Sequence, residues 1–214
     1  MRMASAVAIA AAIAAGPAVS GAGAGDLGSV GEAFGAPGYT TQYGYGTTRG
    51  DVSIIYHGPS SASLGQDVTF VAELGGRPDD GPTPGNVISS VIHRAPAGFE
   101  FTGADVSSYE ETPGVYPIKF LESSASVDPE TGDVTVSAPA EGWTVPPKTG
   151  DGVATVNRVF VKIHYHVSKP VTEEFARSYV SFTGPDVPAS DEWMETGAVY
   201  QGFFDSLVLD LGSS

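Results

Sequence analysis

The chain has 214 residues, no Cys, and 10 Lys and Arg against 25 Asp and Glu, a formal net charge of −15. That acidity excludes nucleic acid and argues against an anionic membrane surface as partner, because polyanions repel one another. The absence of thiols excludes disulfide staples and a cysteine nucleophile, so packing alone must hold a fold whose length suits one sizeable β-domain or two small ones.

Arg2 precedes an apolar run from Ala4 to Ala15, Gly16-Pro17 ends it, and Ala22-Gly23-Ala24 supplies small residues for a signal peptidase. The pattern predicts a signal peptide over residues 1–24, cut before Gly25. Cleavage removes Arg2 but no acid, taking the charge from −15 to −16. The run is too short for a membrane span, and no Cys follows it to carry a lipid. An exported chain without Cys fits a bacterial envelope, where it is expected to be secreted or non-covalently associated with the wall. Residues 25–50 hold eight Gly with Tyr39, Tyr43 and Tyr45, which predicts a flexible arm. The arm reads as a linker, or as a tyrosine-bearing segment that binds a partner.

The domain is expected over residues 51–214. Val52 to Tyr56 is β-rich, and a turn at Ser63 to Asp67 leads into the alternating strand Val68 to Leu74. A polar loop, Gly75 to Gly85, precedes the stretch Val87 to Tyr109 that organises the rest. It reads as one strand to Arg94, a Pro96-Ala97-Gly98 turn, and a second strand from Phe99. Tyr116 to Leu121 follows, with Pro117 hinting at an edge. Asp128-Pro129-Glu130-Thr131-Gly132-Asp133 predicts a hairpin between strands at Val127 and Val134. Val153 to Val167 is the longest candidate, with Val159, Val161, Ile163, Tyr165 and Val167 on one face and Phe160, Lys162, His164 and His166 on the other. Tyr179 to Thr183 and Phe203 to Leu211 complete about nine strands, beside one weak helical hint at Glu173 to Arg177. The architecture expected is an all-β, antiparallel sandwich.

The order of Gly58-Pro to Phe70, His93-Arg-Ala-Pro-Ala-Gly-Phe-Glu-Phe101, Gly132-Asp-Val-Thr-Val136 and Val156 to Val167 resembles the Ig-like conserved repeats of bacterial surface proteins. It is also similar to small exported Ig-like proteins of mycolate-bearing actinobacteria, a group without a settled activity. The resemblance covers roughly Val52 to Phe182. It implies an Ig-like sandwich at the cell surface and no catalytic residues. Related wall and pilus domains often form a Lys to Asn isopeptide bond, which needs a Lys on the first strand; Val52 to Tyr56 has none, so no crosslink is expected.

His164 and His166 lie two apart on a strand, so both imidazoles could reach one metal if a third ligand, such as His93, joined them. Two surface histidines on a solvated face is the plainer reading, and no metal or cofactor is expected. His93 and Arg94 read as polar residues ending a strand. Asp128, Glu130 and Asp133 could gather calcium, but they fit a hairpin turn without it. There is no Gly-x-Ser-x-Gly elbow, and the acidic pairs Glu110-Glu111, Glu173-Glu174 and Asp79-Asp80 fall in loops as neighbours, not across a cleft, so no enzyme is expected. Trp143 and Trp193, read as loop residues, could stack on sugars or protein partners, or could cover the ends of the core. The function expected is binding or structure at the envelope, with an unknown protein or glycan as partner. A carbohydrate-binding module and a mycolate-membrane channel subunit are the alternatives; the channel needs a lipid-facing alternation that the strands lack.

Overall fold

The computed structural model describes residues 41–43, 47–76, 85–109, 118–145, 158–171, 175–188, 190, 192–195 and 199–201. Within them the chain is all-β, with seventeen strand segments. The predicted signal peptide, Tyr39, Tyr45 and the expected strand Phe203 to Leu211 lie outside the described residues.

A seven-stranded antiparallel sheet runs in the order β1 (Thr41–Tyr43), β3 (Val52–Pro59), β5 (Asp67–Gly76), β13 (Arg158–Val167), β8 (Phe99–Tyr109) and β9 (Ile118–Leu121), with β2 (Thr47–Arg49) also on β3. Facing it is a five-stranded sheet of β10 (Ser124–Val127), β11 (Val134–Ser137), β7 (Ser90–Arg94), β15 (Tyr179–Thr183) and β16 (Met194–Glu195). Two small sheets pair β12 (Trp143–Val145) with β6 (Asn86–Ile88), and β14 (Phe175–Ala176) with β17 (Val199–Gln201) and β4 (Ser61–Ala62). The order β3-β5-β13-β8 against β7-β15-β16 is the A-B-E-D and C-F-G arrangement of an immunoglobulin domain. Elements β9 to β12 are inserted between D and E.

The period-2 pattern explains the core. Val68, Phe70, Ala72 and Leu74 of β5 and Val159, Val161, Ile163, Tyr165 and Val167 of β13 point inward, meeting Val91, Val134, Val136, Val180 and Phe182 of the other sheet. Burying each such side chain contributes about 1.5–3 kcal/mol, and Phe70 adds ring contacts to Tyr56, His93 and Tyr165. The Pro96-Ala97-Gly98 turn requires its glycine: Gly98 has φ +87, and a Cβ there would meet the Lys169 Cβ at 2.8 Å. The hairpin at 128–133 forms as the turn residues dictate. Asp128 Oδ1 accepts the N–H groups of Glu130 (2.8 Å) and Thr131 (3.1 Å), and Gly132 takes φ 76.

Several expectations need correcting. Ordered strands begin before Asp51, because β1 and β2 of the 25–50 stretch pair with β3. Val87 to Arg94 is two segments broken at Ser89: β6 pairs with β12, and β7 with β11 and β15. The helical hint at Glu173 to Arg177 is not a helix where it is described: Arg177 lies outside any element, and Phe175–Ala176 is a strand. There backbone pairing with β17 overrides a local propensity too short to nucleate a helix.

Candidate functional site

Four histidines occupy four different environments. His93 is wholly buried, on the core side of β7, and not at a solvated strand end as expected. Its register partners are Val134 and Val180, both core residues. A neutral imidazole has one N–H and one lone pair. Tyr56 donates its O–H to Ser178 Oγ (3.0 Å), which leaves its oxygen to accept from His93 Nε2–H. Nδ1 then accepts the Tyr165 O–H (2.6 Å). Burial pulls the His93 pKa down to about 3, against a weaker upward pull from Asp133, and burial likewise raises both tyrosines. The imidazole is therefore held neutral and shut from solvent, where it ties three strands together.

His57 and Glu73 lie on the outward face of the large sheet and are nevertheless buried. His57 Nε2 is 2.7 Å from Glu73 Oε1, and Arg158 Nη1 donates to Glu73 Oε2. Burial pushes the Glu73 carboxyl up, but His57 and Arg158 outweigh it and hold the group below its ordinary value.

His164 and His166 share that outward face, each with its own partner. His164 Nε2 is 2.8 Å from Asp105 Oδ2 and its Nδ1 2.9 Å from Thr69 Oγ1, whereas His166 Nδ1 is 2.8 Å from Asp67 Oδ1. Both nitrogens of His164 are engaged, and His93 lies in the core, on the inner side of β13. Among the described residues no three His, Asp or Glu side chains converge as a metal site.

Trp143 is not a loop aromatic. It lies on β12, 2% exposed, and its Nε1–H donates to the Glu122 carbonyl (2.9 Å), pinning the link between β9 and β10. It covers the core, and cannot stack on a ligand. Trp193 is half-buried outside the strands, with the Arg94 guanidinium 4.6 Å from its ring centroid. Arg94 grips Asp133 through two bonds, Nε to Oδ1 and Nη2 to Oδ2, both 2.7 Å, and this holds the Asp133 carboxyl below its ordinary range. Tyr43 enters β1 through its backbone.

Beside that pair, the outward face of the five-stranded sheet carries hydroxyls in register. One row is Ser126, Thr135, Ile92 and Ser181; the next is Ser124, Ser137, Ser90 and Thr183. Ser90 Oγ and Thr183 Oγ1 are 2.8 Å apart. Sequence reading missed this face, although Ser124-x-Ser126, Thr135-x-Ser137 and Ser181-x-Thr183 show its period.

The flank formed by β9 and β10 is apolar and open. These strands end their sheets and are joined by Glu122-Ser123, and Phe120, Ile118 and Val127 are 74%, 54% and 47% exposed. Leu121 anchors β9 to the core.

No family model matches the chain, and no curated protein sequence does. Among solved structures, it is similar to the collagen-binding domain of a Staphylococcus aureus adhesin, with TM-score 0.33 and 7% identity over 67% of this chain and 91% of that one. It is also similar to the collagen-binding subdomain of the Enterococcus faecalis surface protein ACE (0.36, 8%, over 64% and 92%) and to domains D2 and D3 of the major pilin SpaD of Corynebacterium diphtheriae (0.34, 10%, over 71% and 50%). Likenesses of this size carry no statement of function.

Proposed function

We propose that this protein is an exported, non-catalytic Ig-like domain of a bacterial cell envelope that works by binding another protein through its β9–β10 flank. The observation that carries the reading is the exposure of Ile118 and Phe120 on the edge strand β9, with Val127 exposed on β10, the edge strand that follows it in the chain. Apolar side chains on open edges invite either strand addition or an aromatic anchor in a partner's pocket. The signal-like segment 1–24 supports export. The histidines support a structural use, His93 inside the core and the other three on the outward face of the large sheet, since each is engaged with a tyrosine, threonine or carboxylate of the fold.

Placing a photo-crosslinking residue at position 120 in intact envelopes tests the proposal. A discrete adduct is expected that is missing when the same group stands at position 141. Loss of the Phe120 anchor in a Phe120→Ser variant should weaken the captured complex by about thirtyfold, the effect of losing a buried interface aromatic. Identical, diffuse crosslinking from both positions would rule the flank out.

A further inference from the structure

We propose that the outward face of the five-stranded sheet is a binding platform for a neutral polysaccharide, with Trp193 at one end as its stacking residue. The inference rests on the envelope location proposed above; its surface meets the proposed flank at β10, whose Ser124 and Ser126 belong to the rows, and does not include Ile118 or Phe120 of β9.

Seven of the eight positions in the two cross-strand rows are Ser or Thr, and the eighth is Ile92. Across the strands these positions repeat every ~4.8 Å and along them every ~6.8 Å, a spacing set by the sheet and not by side-chain flexibility. An outward face of an acidic protein needs only to be polar, and long charged side chains serve that purpose commonly. Neither row holds a charged residue, in a chain of net charge −15.

Each hydroxyl offers one donor and two acceptor sites, as a sugar hydroxyl does. Short side chains on a rigid sheet lose little rotamer freedom when they bind, so a weak hydrogen bond at each position is not offset by ordering entropy. Ser124, Ser126 and Thr183 are exposed and Ser90, Thr135 and Ser137 partly so, whereas Ser181 is buried and accepts from Arg49, so six of the seven hydroxyls are open to an extended ligand.

Charge selects the ligand class. Two guanidinium groups border the rows: Arg94 is closed by both oxygens of Asp133, and Arg49 is engaged by Ser181 Oγ and by the carbonyls of Phe182 and Glu192, so the donors facing the rows are already taken up by the fold. The overall negative charge repels polyanions further. Trp193 lies over Arg94, and Tyr179 is the cross-strand neighbour of Arg94, so the end of the platform carries aromatic surface for the C–H face of a pyranose. Ile92 supplies an apolar spot in the middle.

Depletion of the exported protein from solution by insoluble cellulose, β-1,3-glucan, mannan and galactan, with heparin-agarose as the acidic control, tests this. Wild type should be depleted by at least one neutral polymer and not by heparin. Thr135→Lys and Ser126→Lys, which place a long cation on the face at positions outside the core, should each weaken that binding by about tenfold, as should Trp193→Ala. Phe120→Ser should bind as wild type. Thermal unfolding of the lysine variants at the wild-type temperature shows that loss of binding is not loss of fold. Absence of binding to all four neutral polymers, equal binding to heparin, or full binding by both lysine variants overturns the platform. If crosslinking from position 120 persists in that case, the flank proposal stands alone; if crosslinking fails while cellulose or another polymer binds, the platform stands without it.

Discussion

The two outward faces of the sandwich come from the same alternation rule and are opposite in character. On the large sheet, the middle of the outward face is buried: Phe160 is 4% exposed, Val71 is buried beside it, and Glu73 sits in contact with His57 and Arg158. On the five-stranded sheet, the equivalent positions are short hydroxyls apart from Ile92, and all of these hydroxyls but the buried Ser181 are at least partly open to water. Facing away from the core is thus a property of a strand, whereas being solvated is a property of what lies against it. The first face is read as reinforcing the fold, and the second is free to bind.

The largest expected effect breaks the buried face. Glu73→Ala leaves Arg158 and His57 without their shared carboxylate, and should cost about 3–5 kcal/mol in urea unfolding. A loss below 1 kcal/mol would mean that water already screens the cluster.

Next is acid. His93 has a folded pKa of about 3 against an ordinary 6.5, so below pH 6.5 the unfolded chain binds a proton that the folded chain refuses. Stability is fully present above pH 6.5 and falls by up to about 1.4 kcal/mol for each pH unit down to 3. Glu73, with its lowered pKa, adds loss in the same direction only in the carboxylate range. A His93→Gln variant, less stable throughout, should show a shallower slope between pH 6.5 and 5. An unchanged slope would place the acid sensitivity elsewhere.

Smaller effects belong to the open face. Asp133→Asn breaks the part-buried bidentate pair with Arg94 and should cost about 1–2 kcal/mol. Thr135→Ala should change stability by less than about 0.5 kcal/mol, while measurably weakening polysaccharide retention. That separation of stability from binding is what distinguishes the two faces, and a large stability loss at Thr135 would erase it.

Much of the fold was legible because it is local. Val68 to Leu74 and Val159 to Val167 alternate cleanly, Pro129 and Gly132 suit their turn, and Pro96-Ala97-Gly98 needs a residue that tolerates positive φ. His93 was misread because Val91 and Ile92 are both apolar, so the phase of β7 is ambiguous until Val134 and Val180 pair with it. Trp143 was misread because its neighbours resemble a loop, and only pairing with β6 makes it a strand.

By itself, the sequence determined the all-β class, the hairpin, the acidity that turns polyanions away, and the core faces of β5 and β13. These follow from backbone propensity and period, which need no partner. Only the tertiary structure decided that His93 lies inside, that Phe160 and Glu73 are covered, and that seven hydroxyls from four strands stand in two rows. Burial and register depend on strands distant in the chain, and no single stretch carries that information.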